Sequence, residues 1–139
     1  MRNESLARDY LDRATARLKA LEVLERERSW ADVVRESQEV VELTLKALLR
    51  ASGIEVPRVH DVSPIIVENV GRLPESVREH TDDLCRVSRT LRRDRELAFY
   101  GSEDLTPSEF YGAGDAAEAR ASAERVVRIV RAGILGGGE

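Results

Sequence analysis

The sequence has little of what builds a disulfide framework, a β-sheet or a membrane anchor. Its single cysteine, Cys85, rules out an internal disulfide. Aromatic residues make up only 4% of the chain, and no stretch alternates apolar and polar residues at the period of a strand. No apolar run is long enough to span a membrane, and the N-terminus lacks the apolar segment of a signal peptide. We therefore expect a cytoplasmic protein.

Chemical motifs are also scarce. The chain has no glycine-rich phosphate loop, no metal-ligand spacing and no serine elbow, so neither a metal nor a cofactor is predicted. Its net charge of −4 does not favour nucleic acid, and RNA binding would require a local basic patch.

The composition is that of a helical domain. Of the 139 residues, 42% are hydrophobic and 35% are charged, which suits one all-helical domain. The apolar stripe of the second helix is wide enough for the innermost helix of a bundle. We predict an all-α, up-and-down antiparallel bundle of four long helices and one short helix over residues 1–133, followed by a flexible glycine-rich tail over residues 134–139. Helical spacing and stop signals place the helices at about 5–26, 29–52, 63–71, 74–99 and 106–133, the last with a start that Gly112 and Gly114 could delay to Asp115.

The stretch from Leu84 to Gly101 departs from an ordinary amphipathic helix. Arg95 falls near the middle of its apolar stripe, whereas Arg93 points the opposite way. A guanidinium on a core-facing stripe is costly unless it is paired or lines a polar cleft. Its planar fork suits a phosphate or a carboxylate, and a buried pair with Glu42 of the second helix is the alternative.

Other candidate side chains have ordinary structural explanations. Glu42 and Lys46 have the favourable i, i+4 order of a helical ion pair, which contributes about 0.2–0.5 kcal/mol on a surface. The neighbouring arginines, Arg92 among them, are largely neutralised by nearby acids, which indicates a solvated face. Neither histidine has a nucleophile or a metal ligand at a suggestive spacing, so we expect loop hydrogen bonding for His60 and solvent exposure for His80.

Four segments together resemble the HEPN domain, a prokaryotic helical module that often accompanies a minimal nucleotidyltransferase. They are ARDYL at 7–11, WADVVRESQEVVELTLKALL at 30–49, the connection 53–61 that ends in His60-Asp61, and LRRDRELAFYG at 91–101. In the second segment, the S…E-x-x-x-K places of the family are occupied by Ser37, Glu42 and Lys46. The resemblance implies a bundle that dimerises and places the arginine-rich blocks of both subunits in one cleft.

Catalytic HEPN members share the pattern Arg-x(4–6)-His, and the resemblance implies metal-free RNA cleavage for a chain that has it. There the histidine handles a proton and the arginine steadies the charge of the phosphorane. In this sequence the count from Arg95 or from Arg93 leads to Tyr100, and a tyrosine, with a reference pKa near 10, is a poor base at neutral pH. In some members a tyrosine two places after the histidine receives nucleotides, but that place here is Ser102.

The leading hypothesis is a non-catalytic or weakly active HEPN protein, with a degenerate nuclease motif that lacks its histidine, which forms a homodimer and acts as the helical partner of a nucleotidyltransferase, for example in a toxin–antitoxin pair. Its cleft would hold the phosphate of a nucleotide or an RNA through Arg95, with Arg92 as a further binding residue and Glu42 and Lys46 positioning it. One alternative is a metal-independent ribonuclease that uses Arg95 and Tyr100, and another is a purely structural dimer. No membrane partner is expected.

Overall fold

The computed structural model describes residues 4–102 and 105–136, and these residues form helices without any strand. The predicted all-α fold is confirmed, with four long helices. No helix in the described ranges is long and apolar enough to cross a membrane. The helices are α1 (Glu4–Arg26), α2 (Trp30–Ala51), α3 (Ser63–Glu68), α4 (Glu75–Arg78), α5 (Thr81–Tyr100), α6 (Pro107–Phe110) and α7 (Ala113–Leu135), with a 3-10 turn at Val70–Arg72.

Helix α2 lies at the centre of the bundle, as its wide apolar stripe predicts. Helices α1, α5 and α7 each pack against it, whereas α5 and α7 barely touch each other. Burial of this stripe against the three outer helices is the main source of hydrophobic stabilisation. Its members are Val33, Val34, Val40, Val41, Leu45, Leu48 and Leu49, all of them buried.

The single helix predicted over 74–99 is wrong, because two helices, α4 and α5, occupy this range. The hydroxyl of Thr81 donates to the carbonyl oxygen of Arg78 at 2.7 Å, where α4 ends after about one turn. The two helices then pack on different partners, α4 on α7 and α5 on α2. The sequence pattern hides this break because buried Val77 and Leu84 keep a seven-residue helical step across it.

The last predicted helix is likewise interrupted near its start. Thr106 and Glu109 form a capping box, in which each backbone N–H donates to the other side chain, at 3.0 and 3.3 Å. This cap starts only the one-turn helix α6. Helix α7 begins separately at Ala113, and the carboxylate of Asp115 accepts a hydrogen bond from the N–H of Gly112 at 2.8 Å.

The sequence predicts that the last helix ends at Gly133, but α7 continues to Leu135. The glycine permits a close contact instead, since a Cβ atom there would lie 2.5 Å from Cγ2 of Val77 and 3.4 Å from Cβ of Pro74. Helix α4 can therefore approach α7 this closely only where α7 has no side chain. The helix takes in the first two residues of the predicted tail, and residues 137–139 of that tail lie outside the described ranges.

Gly133→Ala should destabilise the fold by roughly 1–3 kcal/mol, because the added methyl group overpacks the contact with Val77. Gly114→Ala is the matched control: it lies in the same helix, and its added Cβ would meet nothing within 4 Å. There alanine should stabilise the helix by up to about 1 kcal/mol. Denaturant unfolding measures both changes, and equal gains in the two variants would contradict the close contact.

Candidate functional site

Helices α2 and α5 pack side by side, and polar side chains line the edge where their apolar faces end. Along this edge a chain of hydrogen bonds runs from α5 across α2 to the connection before α3. We call this edge the α2–α5 groove. It is formed by Gln38, Glu39, Glu42 and Lys46 of α2, by His60 of the connection, and by Arg92 and Arg95 of α5.

Arg95 turns toward α2, at the edge rather than in the middle of the buried stripe, since 18% of its side chain stays exposed. Its Nη1 donates to Oε1 of Glu39 at 2.6 Å and to Oε1 of Gln38. The acidic partner is therefore Glu39, one turn before the predicted Glu42. Both contacts use Nη1, and within the described residues Nε and Nη2 make no hydrogen bond. Arg93 is 75% exposed, as predicted.

Glu42 is the most heavily bonded member of the groove. Its carboxylate accepts hydrogen bonds from Lys46 at 2.9 Å and from Gln38 at 2.9 Å, and it lies 2.8 Å from Nδ1 of His60. Burial acts to raise the pKa of Glu42, but these hydrogen bonds and the charge of Lys46 outweigh it and lower the pKa below its usual value. The predicted ion pair forms, but it is not a surface pair, because the two side chains are only 15% and 17% exposed.

The connection that carries His60 is fastened on both sides. Next to His60, Asp61 accepts hydrogen bonds from the backbone N–H of Ser63 at 3.0 Å and from the hydroxyl of Ser88 on α5 at 2.8 Å. Burial opposes ionisation of Asp61, yet these bonds and the nearby charge of Arg89 lower its pKa overall. His60 thus contacts α2 through Glu42, and the adjacent Asp61 contacts α5 through Ser88. The loop hydrogen bonding predicted for His60 is present. The spacing of His60 from other residues in the sequence does not indicate a site. The dipeptide His60-Asp61 is the sequence feature that points to this histidine.

Arg92 shares a face of α5 with Ser88 and Arg95, because steps of four and three residues align side chains on a helix. On this face Ser88 hydrogen-bonds Asp61 and Arg95 hydrogen-bonds Gln38, and Arg92 lies between these two residues along α5. Within the described residues Arg92 makes no ion pair. A chain of hydrogen bonds therefore joins Arg95 through Gln38 to Glu42 and Lys46, and Arg92 lies on the same face of α5 as Arg95. The binding of phosphate by these residues remains a prediction.

Tyr100 lies outside this groove. Its side chain is 75% exposed, and its ring contacts Phe99 edge-on with the ring centroids 4.7 Å apart. Five residues along an α-helix rotate a side chain by about 140°, so Tyr100 points away from the side that carries Arg95. Ser37 is outside the groove too: it is fully buried, and within the described residues its hydroxyl has no hydrogen-bond partner.

A comparison with known protein families finds the HEPN domain over residues 7–133. The chain belongs to the HEPN domain family. No curated protein and no solved structure matches it. All the groove residues lie inside the matched range, so the groove is part of the HEPN domain itself.

A second polar recess of this HEPN domain lies between α5 and α7, on another side of α5 from the groove. It is a cavity of about 90 Å³ next to Asp94 and Tyr111. Burial, followed by the charges of Asp94 and Asp115, raises the pKa of Tyr111 to about 12, and burial also raises the pKa of Asp94. The cavity is well below the size of small-molecule sites, which run to about 300–1,000 Å³.

Glu42→Gln should destabilise the HEPN domain at neutral pH by about 1–2 kcal/mol, because it removes charge-assisted hydrogen bonds. The pKa of Glu42 is lowered in the folded state, so this stabilisation is present above the pKa of an unfolded glutamate. It is lost as the pH falls through the folded pKa.

Thermal unfolding from about pH 7 to pH 3 tests this, and the difference between the variant and the wild type should shrink toward acid pH. Glu79→Gln, at a side chain 77% exposed, is the control and should change little. A difference that stays constant with pH would contradict the assignment.

Proposed function

We propose that this HEPN domain acts as the dimeric helical partner of a nucleotidyltransferase, for example in a toxin–antitoxin pair, and that its α2–α5 groove holds the phosphate of a nucleotide or an RNA. The observation that carries the proposal is that only one of the three guanidinium nitrogens of Arg95 takes part in a hydrogen bond within the described residues. Glu39 and Gln38 hold Nη1, and the Nε–Nη2 edge makes no hydrogen bond within the described residues. That edge has the fork geometry that binds a phosphate through two parallel hydrogen bonds.

The charges around Arg95 support binding of one anionic group. Arg92, Arg95 and Lys46 give the groove three cations against the carboxylates of Glu39 and Glu42, a local excess of one positive charge. The carboxylates fix the side chains of Arg95 and Lys46, so less rotamer entropy remains to be lost when a ligand binds. A groove of this kind provides the local basic site that the net charge of the whole chain, −4, does not.

The position of Tyr100 argues against the ribonuclease alternative that pairs it with Arg95. A catalytic base must come within hydrogen-bond reach of the proton that it removes, on the side where the phosphate is bound. Tyr100 points to another side of α5 and is 75% exposed. The geometry therefore favours binding at Arg95 over chemistry by this pair of residues.

An exposed aromatic surface at the end of α5 supports a protein partner. Phe99, Tyr100 and Phe110 are 51%, 75% and 47% exposed, and α6, which carries Phe110, packs on α5. The guanidinium of Arg35 lies 4.7 Å from the centroid of the Phe99 ring, and its Nη2 lies 3.6 Å from Oε1 of Glu39, so Arg35 connects this surface to the groove. Aromatic and arginine side chains are enriched at protein interfaces.

Co-expression with a nucleotidyltransferase encoded beside this chain should give a complex that elutes together in size-exclusion chromatography. The chain alone should elute as a dimer. A chain that stays monomeric, and that does not co-elute at micromolar concentration, would contradict the proposal. A dimer without co-elution would favour the purely structural alternative.

Arg95→Ala should weaken the binding of a fluorescent single-stranded oligonucleotide about tenfold or more, because a charge-assisted contact contributes about 1.5–3 kcal/mol. Arg93→Ala is the matched control, since this neighbouring arginine is 75% exposed and faces away from the groove. Fluorescence anisotropy measures both, and melting temperatures verify that each variant folds. Equal affinities for the two variants would place the binding elsewhere.

A further inference from the structure

We propose that a cavity at one end of the bundle binds a small amphipathic carboxylate, a molecule with one carboxylate group and a compact apolar body. The cavity lies where α1 begins and where α2 and α7 end, and the 3-10 turn and α4 also contribute to its lining. The residues that line it are all different from those of the α2–α5 groove. The inference therefore does not depend on phosphate binding by the groove.

The cavity has the size of a ligand site. Its volume is about 500 Å³, which falls within the range of about 300–1,000 Å³ that is usual for small-molecule pockets. The recess between α5 and α7, at about 90 Å³, does not reach that range. Size alone thus makes this end of the bundle the place where a small molecule fits.

Closely packed structure forms the wall of this cavity. Pro74 and Gly133 line it at the point where the chain before α4 meets α7. A Cβ atom on Gly133 would lie 3.4 Å from Cβ of Pro74, so the two elements are in contact there. Ala7 and Leu73, each 1% exposed, line it as well. The cavity is therefore a recess in the packed bundle.

Two guanidinium groups at the cavity are held by backbone carbonyl groups. Arg72 donates from Nη2 to the carbonyl oxygen of Gly53 at 2.7 Å. Arg78 donates from Nε to the carbonyl oxygen of Leu73 at 2.9 Å and from Nη2 to that of Gly71 at 3.0 Å. Because these contacts orient both side chains, less side-chain entropy remains to be lost when a ligand binds.

The positive charges of these two arginines lack a carboxylate partner. A carbonyl oxygen carries no net charge, and in the part of the chain that the structure describes neither Arg72 nor Arg78 forms an ion pair. By contrast, Arg125 of α7 pairs with the carboxylate of Asp83. Nη1 of Arg72 and of Arg78 makes no hydrogen bond within the described ranges, so both groups keep a donor for an anion.

The charge around the cavity matches an anion with a single negative charge. Arg8, Arg72 and Arg78 provide three positive charges against the two carboxylates of Glu4 and Glu75, an excess of one. One carboxylate neutralises this excess, whereas the phosphate of a mononucleotide carries close to two negative charges at neutral pH. A carboxylate also has the two acceptor atoms that suit a guanidinium.

The apolar part of the lining indicates the rest of the ligand. The apolar side chains that line the cavity are Ala7, Ala51, Leu73, Pro74, Ile134 and Leu135. A ligand with an apolar body removes this surface from water, which a simple inorganic anion does not. Pockets with apolar walls and a few fixed polar groups bind molecules that have both features. The lining therefore favours an amphipathic carboxylate.

Isothermal titration calorimetry on the full chain tests the inference with octanoate and phenylacetate, which carry a straight and an aromatic apolar body. At least one of them should bind one-to-one with a dissociation constant below about 1 mM. Acetate lacks the apolar body and octanol lacks the charge, so each should bind at least about tenfold more weakly. In amide NMR spectra, the shifts that the ligand causes should centre on Ser52, Leu73 and Ile134.

Substitutions locate the anion. Arg72→Gln and Arg78→Gln should each weaken binding about tenfold or more, because each removes a charge-assisted contact. Arg93→Gln is the matched control: it makes the same charge change at a side chain 75% exposed on α5, and it should bind like the wild type. Arg95→Ala, in the α2–α5 groove, should also bind like the wild type. Melting temperatures verify folding, and Arg72→Gln decides the test if Arg78→Gln is unstable.

Several results would overturn the inference. Binding of neither probe would do so, as would an equal affinity for acetate or for octanol. Undiminished binding by Arg72→Gln would place the carboxylate elsewhere and overturn it too. Adenosine monophosphate that binds as tightly as the probes, and that loses affinity in Arg72→Gln, would replace the assigned ligand class. None of these results concerns the phosphate that we propose for Arg95, so the two proposals fail separately.

Discussion

The packing of α2 on three sides constrains the rest of the molecule. Its apolar residues are buried against α1, α5 and α7, and a row of its polar side chains lies along the edge next to α5, between buried and solvated positions. Gln38, Glu39 and Glu42 on that edge lose part of their contact with water and require partners. Arg95 from α5 and His60 from the connection provide them. The groove is therefore a direct result of how the core is built.

The same contacts hold the fold together and shape the candidate site. Removing Glu42 would free both Lys46 and His60, and removing Arg95 would take a donor from Oε1 of Gln38 and leave Glu39 with its ion pair to Arg35 at 3.6 Å. Changes in this network are not additive, because its members share partners. Stability and ligand affinity must consequently be measured together for any substitution in the groove.

The sequence predicts the features that depend on short-range patterns. The four long helices, the central place of α2 and the inward turn of Arg95 all follow from apolar spacing. What spacing does not contain is the alignment of one helix against another. That alignment decides that Arg95 meets Glu39 and not Glu42, and that His60, 18 residues from Glu42 along the chain, lies beside its carboxylate. Gly133 is a second example. A glycine near the end of a helix resembles a stop signal in the sequence, and only the structure shows that it lies against Val77 of α4.

The cavity between α5 and α7 has a mechanical consequence. A helix packed tightly on every side cannot shift without compressing its neighbours, because protein interiors are as dense as organic crystals. Beside Asp94, α5 borders a void of about 90 Å³, and nearer its start it is tied to α7 by Asp83 and Arg125 at 2.7 and 3.1 Å. The half of α5 that carries Arg92 and Arg95 is therefore packed less tightly on the side of α7 than on the side of α2.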